Sequence, residues 1–119
     1  MRIVEEAVHA YQNRRMCGPC SIGFWLVAAT ASIGAGDLAR ARTYLREAER
    51  QAGMWQGGPW LAATWEARAA LRLAEGERVQ AAALLREAEG LYAQSARPVD
   101  AARCRAAGLA VGRQTIAIS

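Results

Sequence analysis

Lysine is absent from this chain of 119 residues, and its 15 strongly basic side chains are all arginines. Without lysine, neither a phosphate-loop lysine nor a lysine Schiff base is available. The formal net charge is only +4, and arginines alternate with glutamates along much of the chain. Such alternation is typical of solvated helix faces, whereas nucleic-acid-binding domains concentrate basic residues on one face. We therefore expect no direct contact with nucleic acid.

Histidine is almost absent, since His9 is the only one, and the sequence offers it no evident acidic partner for triad chemistry. A zinc site built from His9, Cys17, Cys20 and Cys104 would use suitable ligand atoms, but the spacing matches no familiar zinc motif. Cys104 stands apart from the other cysteines and is expected to be a small core residue. The sequence therefore predicts a non-catalytic protein without a metal or other cofactor.

Proline occurs only three times, and Pro19, Pro59 and Pro98 separate long stretches rich in Ala, Leu, Arg and Glu. Those four residue types are strong helix formers. Proline is tolerated in the first turn of a helix, where its missing N–H would have no partner. A chain of this length forms one domain that buries roughly two thirds of its unfolded surface. We expect an all-α domain with roughly six helices.

An internal repeat organises these helices. At an offset of 40 residues, Gly18-Pro19 aligns with Gly58-Pro59, and the sequence LREAE recurs from Leu45 to Leu85; a shorter third copy begins at Pro98. A period of roughly 20 to 50 residues indicates units that cannot bury an apolar face alone and stack on their neighbours. Binding is the usual function of such stacks. The predicted single domain comprises a half unit (1–16), unit 1 (17–57), unit 2 (58–96), an incomplete unit 3 (97–112) and a tail (113–119).

The predicted helix ends follow from glycines and from the 3.6-residue spacing of apolar side chains. Gly36 and Gly76 end the first helix of each unit, a loop from Gly53 to Gly58 closes unit 1, and the last helix ends near Gly112. Because that last helix lacks a partner helix, we expect it to expose an apolar face and to support a homodimer. The predicted helices span 3–15, 19–34, 38–52, 59–74, 77–94 and 98–112.

The repeated positions resemble the tetratricopeptide repeat, although the units are longer than its roughly 34 residues. Longer units of this kind are similar to the C-terminal helical-repeat region of large bacterial transcriptional activators of the maltotriose-dependent and LuxR type. The resemblance covers about residues 18–112 and implies a right-handed stack of antiparallel helical hairpins, in a cytoplasmic regulator or its remnant. Their ATPase and helix-turn-helix domains are not recognisable here, so DNA and nucleotide binding are not implied. The matching positions are Trp25 and Trp65, Ala29 and Ala69, Gly36 and Gly76, Ala41 and Ala81, Leu45 and Leu85, and Ala48 and Ala88.

The same resemblance implies a concave groove, lined by one face of the first helix in each unit. Its surface would be mostly apolar with Glu66 and Arg105 as its charges, which suits an amphipathic or apolar segment of a protein or peptide. An alternative interpretation is that a short stack packs these residues against neighbouring helices. Trp55 is a further candidate contact, because it lies in the predicted loop between units. The partner-binding candidates are Leu26, Thr30, Trp55, Glu66, Ala70, Leu73, Arg105 and Leu109.

The stretch Cys17-Gly18-Pro19-Cys20 supports a different hypothesis, because it matches the active-site tetrapeptide of thioredoxins. A cysteine at a helix N-terminus has a lowered pKa, which favours thiolate attack. No strand is predicted before Met16, however, and Gly18-Pro19 repeats the helix start at Gly58-Pro59. A small thiol-disulfide protein using Cys17 and Cys20 is the alternative function.

A targeting segment is a further alternative, since Arg14 and Arg15 precede an apolar stretch from Met16 to Ala29. Glu5 and Glu6 do not suit the basic start of a signal peptide. A run of about 14 apolar residues is also more typical of a buried helix than of a membrane span. We therefore expect no membrane association and a cytoplasmic protein.

Overall fold

Residues 4–5, 18–55 and 58–118 are described by the computed structural model, with the side chains of 19–20, 54–55 and 114–118 outside that description. These ranges contain five helices and no strand, which confirms the predicted all-α helical-repeat fold. Val4 and Glu5 are also helical, and the rest of the helix predicted at 3–15 lies outside the described residues. The helices are α1 (Gly18–Gly34), α2 (Leu38–Trp55), α3 (Gly58–Ala74), α4 (Arg78–Gln94) and α5 (Pro98–Ile118).

Three of the five described helices begin where a proline predicted a helix start. Pro19 and Pro59 are the second residues of α1 and α3, and Pro98 is the first residue of α5. At these positions the ring fixes a helical φ and no intrahelical donor is lost. The predicted starts of the first helix of each unit are therefore confirmed to within one residue.

Two predicted helix ends are wrong, and both were placed at a glycine. The second helix continues through Gly53 to Trp55, so the predicted loop from Gly53 to Gly58 is shorter than expected. The last helix continues through Gly112 to Ile118, so most of the predicted tail is helical. A glycine inside a helix costs only about 1 kcal/mol. It ends a helix where the chain needs a positive φ, which neither Gly53 nor Gly112 adopts.

Three connections between helices share one geometry. In the first, the N–H of Asp37 donates to the carbonyl of Ser32 at 2.9 Å, and the N–H of Gly36 donates to the carbonyl of Ile33 at 3.0 Å. This pair of bonds is a Schellman motif, which requires one residue with a positive φ after the helix. That residue is Gly36 (φ 79°) after α1, Gly76 (φ 84°) after α3 and Ala96 (φ 57°) after α4.

Ala96 is therefore strained where the two equivalent glycines are not. A left-handed conformation costs a residue with a Cβ about 1–2 kcal/mol, partly offset by the lower entropy of its unfolded state. We expect Ala96→Gly to raise the free energy of unfolding by about 0.5–1 kcal/mol, and Gly76→Ala to lower it by a similar amount. Urea denaturation monitored by circular dichroism measures both changes.

A matched control is Gly90→Ala, within α4, where a Cβ would meet nothing within 4 Å. There the substitution should stabilise the protein by up to about 1 kcal/mol, because alanine is the better helix former. If Gly76→Ala and Gly90→Ala shift the urea midpoint in the same direction, the role assigned to positive φ is wrong.

The helices pack as a stack of hairpins. Each helix contacts the next one along the chain. In addition, α1, the first helix of unit 1, contacts α3, the first helix of unit 2. The short Schellman connections make α1–α2, α3–α4 and α4–α5 antiparallel neighbours. An ion pair between Glu5 and Arg40 joins the N-terminal helical residues to α2. The molecule measures 48 × 32 × 19 Å, so its thinnest dimension is that of two helix layers.

Two apolar clusters form the core, and α3 contributes to both. The first lies between α1 and α2 and reaches Leu71 of α3, while the second joins α3, α4 and α5. The repeat places alanine at equivalent core positions of both units, since Ala41, Ala48, Ala81 and Ala88 are all fully buried. Small side chains at these positions allow the helices of each hairpin to approach closely.

Candidate functional site

Most of the predicted groove residues lie at the surface. Thr30 of α1, Ala70 and Leu73 of α3, and Leu109 of α5 are exposed. Leu73 and Leu109 are apolar yet 39% and 58% exposed. Leu26 is the exception, because it is half-buried and packs against the first core cluster. These faces of α1, α3 and α5 therefore carry side chains that are wholly or partly exposed to solvent.

Leu26 and Thr30 come together with two residues that the sequence did not single out. With Val27 and Ala31 they line an open apolar depression of about 380 Å³ on α1. Val27 is 70% exposed and adds apolar surface to this depression. The signal available in the sequence was that α1 is apolar on every side, although only one side faces the core.

Glu66 is occupied by an internal network that joins three helices. The Tyr92 hydroxyl on α4 donates to Glu66 Oε1 at 3.0 Å. Arg103 on α5 donates from Nε to Glu66 Oε2 at 2.6 Å and from Nη2 to Oε1 at 2.7 Å. Its third nitrogen, Nη1, donates to Asp100 at 2.7 Å. Glu66 is therefore a structural contact between α3, α4 and α5, and both of its oxygens already have donors.

The ionisation of this network follows from its contacts. Burial raises the pKa of Tyr92, and the neighbouring Glu66 carboxylate raises it further, so Tyr92 is a neutral donor at all ordinary pH values. The hydrogen bonds that Arg103 donates to Glu66, and then the one that it donates to Asp100, raise the pKa of Arg103. The Arg103 guanidinium also lies 5.8 Å from the centre of the Tyr92 ring, within range of a cation–π contact.

Arg105 is separate from Glu66 and pairs with Glu89 of α4, its Nε lying 3.1 Å from Glu89 Oε2. Arg105 and Leu109 line a small cleft of about 260 Å³ between α4 and α5, together with Cys104 and Gly108. The structure thus brings these two candidates together but places the two predicted groove charges in different networks. Each charge has an opposite partner within the fold.

Cys104 is buried, with 1% of its surface exposed, which confirms its expected place in the core. Burial, with a smaller contribution from Glu66, raises the pKa of its thiol to about 11.

Helix α1 begins at Gly18, directly after Cys17. The side chains of Cys17, Cys20, His9 and Trp55 lie outside the description, so the redox, zinc and loop-contact hypotheses stay predictions. Within the described residues, no three His, Cys, Asp or Glu side chains are grouped to hold a metal ion.

A cluster of arginines was missed by sequence reasoning. Arg42 and Arg46 of α2 face Arg68 and Arg72 of α3 across a cleft of about 330 Å³. We call this the arginine cleft. The signal in the sequence was two pairs of arginines at a spacing of four, which places each pair on one side of its helix. Their alternation with glutamates suggested an ordinary solvated face instead.

No protein-family model, no curated protein and no solved structure matches this chain. In the part of the chain that is described, none of the helices combines the length and the apolar character needed to cross a bilayer. The functional assignment therefore rests on the surfaces and contacts described above.

Proposed function

We propose that this chain is a non-catalytic binding module, in which the exposed faces of α1, α3 and α5 bind an amphipathic or apolar segment of a protein partner. The observation that carries the proposal is the exposure of Thr30, Ala70, Leu73 and Leu109. Exposed residues that recur on alternate helices of a stack, apolar at Ala70, Leu73 and Leu109, supply the spaced anchors that a helical segment needs. The open depression around Val27 extends this apolar surface on α1.

A tetratricopeptide-like origin, as a part of a bacterial transcriptional regulator, belongs to the same proposal. Its support is that most of the matching positions have the same role in both units, the exception being Trp25, which is buried, and Trp65, which is half-buried. Ala29 and Ala69, Leu45 and Leu85, and Ala48 and Ala88 are all buried. Self-association through α5 is a further component, supported by Val99 and Leu109, which are 78% and 58% exposed on that helix.

The binding proposal is tested by selecting partners from a displayed library of amphipathic helical peptides against the purified protein. We expect peptides with apolar residues at positions i, i+3, i+4 and i+7 to be enriched. Thr30→Arg and Leu73→Arg each place a charge on the binding face, so each should weaken the selected peptides by about ten-fold or more, corresponding to about 1.4 kcal/mol. Affinities are measured by fluorescence anisotropy.

Val79→Arg is the matched control, because Val79 is also apolar and is 81% exposed, but it lies on α4. Its substitution should leave the affinities within about two-fold. Circular dichroism confirms that each variant is folded, and light scattering reports whether the protein is a dimer. If no helical peptide is enriched, or if Val79→Arg weakens binding as much as Leu73→Arg does, the proposed binding face is wrong.

A further inference from the structure

The arginine cleft combines a charged rim with an apolar floor. Arg42 and Arg46 of α2 and Arg68 and Arg72 of α3 surround it. The Leu45 and Leu71 side chains lie beneath, and they are only 3% and 4% exposed. The cleft is thus a junction between the two hairpins, lined by one helix from each of them. Its volume of about 330 Å³ is within the range of small-molecule sites.

The positive charge of the cleft is only partly neutralised. Glu75 accepts hydrogen bonds from Arg42 Nε at 2.9 Å and from Arg72 Nη1 at 3.0 Å. The Arg42 guanidinium, followed by Arg72, holds the pKa of Glu75 below its usual value, so this carboxylate stays ionised. Arg68 pairs with Glu49, Nε to Oε1 being 2.9 Å.

Arg46 differs from the other three arginines of the cleft. It is exposed, and it has no ion-pair partner among the described residues. Four guanidinium groups therefore share two carboxylates, Glu49 and Glu75, which leaves a local charge of +2.

The internal repeat supplies a related cleft with fewer arginines. The equivalent cleft between α4 and α5 keeps Arg86 and Glu89 at the positions of Arg46 and Glu49, but it has Ala82 in place of Arg42. The residues of α5 that correspond to Arg68 and Arg72 are Ala107 and Val111, or Gly108 and Gly112 if the register shifts by one. The second cleft is therefore lined by two arginines, Arg86 and Arg105, where the arginine cleft has four, and Arg105 pairs with Glu89 as Arg68 pairs with Glu49.

We infer that the arginine cleft binds a small organic phosphate. Guanidinium groups bind phosphate through paired N–H donors, and a dianionic phosphate ester matches the local charge of +2. Arg46 would contact the phosphate directly, because its donors are not committed to a carboxylate. The organic part of the ligand would lie over the small exposed part of Leu45 and Leu71 at the floor of the cleft. This surface is separate from the peptide-binding face proposed above, so the two assignments can fail independently.

The test uses isothermal titration calorimetry of the full chain with adenosine monophosphate, glucose 6-phosphate, inorganic phosphate, and adenosine and glucose as unphosphorylated counterparts. At least one phosphate ester should bind with a Kd below about 1 mM and more tightly than inorganic phosphate, while adenosine and glucose should not bind detectably. Whichever ester binds more tightly identifies a nucleoside or a sugar as the organic part. Binding should weaken as salt is added, because the contact is charged.

Arg46→Gln should weaken the ester by about ten-fold, since it removes one charge-assisted contact without breaking an ion pair. Arg86→Gln is the matched control at the equivalent position of the second cleft, and it should leave the Kd within about two-fold. Thermal melting confirms that both variants are folded. The inference is overturned if no ester binds at millimolar concentration, if Arg86→Gln weakens binding equally, or if the dicarboxylate succinate binds as tightly as the esters.

Discussion

Replacing Trp25 with alanine is expected to lower the free energy of unfolding by about 3–5 kcal/mol. The Trp25 side chain is 7% exposed and lies in the centre of the first core cluster. Its ring meets Phe24 edge-on at a centroid distance of 5.1 Å and lies 5.7 Å from Tyr44 on the facing helix. A cavity at that position removes packing from both α1 and α2. Urea denaturation followed by circular dichroism measures the loss, since tryptophan fluorescence would itself be altered.

The repeat provides an internal comparison for this substitution. Trp65 occupies the equivalent position of the second unit, but it is only half-buried at the edge of the second cluster. Trp65→Ala should therefore cost clearly less than Trp25→Ala, because less apolar surface is returned to water when the side chain is removed. Small domains are stable by only about 5–15 kcal/mol, so the two variants should differ visibly in their unfolding midpoints. If Trp25→Ala and Trp65→Ala lower the free energy of unfolding equally, then the burial of the tryptophan side chain does not determine the cost of its removal.

The second large effect is a loss of stability at alkaline pH that depends on Cys104. Its thiol has a pKa of about 11 in the folded protein against 9.0 for an exposed thiol. The folded state therefore holds this proton more tightly than the unfolded state does. The resulting stabilisation is fully present below pH 9 and is lost as the pH rises towards 11, and it amounts to roughly 2 kcal/mol. Urea midpoints measured at intervals between pH 7 and pH 11 follow the loss.

Cys104→Ala is the control, since alanine fits the site and cannot ionise. The variant should have a slightly lower stability at pH 7 but a smaller decline between pH 9 and pH 10. Tyr92 also has a raised pKa, and its contribution falls away at higher pH, where both proteins should lose stability together. If wild type and Cys104→Ala show the same decline between pH 9 and pH 10, then ionisation of the buried thiol does not control alkaline stability.

The helical framework was accessible from the sequence because local chemistry determines it. Proline marked the helix starts, and Gly36 and Gly76 marked the turns that require a positive φ. The positive φ of Ala96 was not predicted, because an alanine, unlike a glycine, gives no sign of a left-handed conformation in the sequence. The helix ends predicted at Gly53 and Gly112 were wrong, because a glycine that does not adopt a positive φ can lie within a helix and only weakens it.

The surfaces were less predictable, because they depend on how separate helices are oriented. The surface positions of Thr30 and Leu73 were expected from the resemblance to the tetratricopeptide repeat. The pairing of Glu66 with Arg103 joins residues 37 positions apart, and only the relative placement of α3 and α5 selects Arg103 over Arg105. The arginine cleft could likewise be recognised only once the relative placement of α2 and α3 was known. Alternating charges look alike in the sequence whether their helices face solvent or one another.

The Schellman connections bear on how quickly this chain reaches its native state. Because three residues suffice to reverse the chain after α1, α3 and α4, each helix meets its main partner a short distance along the sequence. The entropy lost on closing such short loops is small. Proteins dominated by contacts of this kind fold within microseconds to milliseconds. Rapid folding shortens the time during which the apolar faces of single hairpins are open to association with other chains.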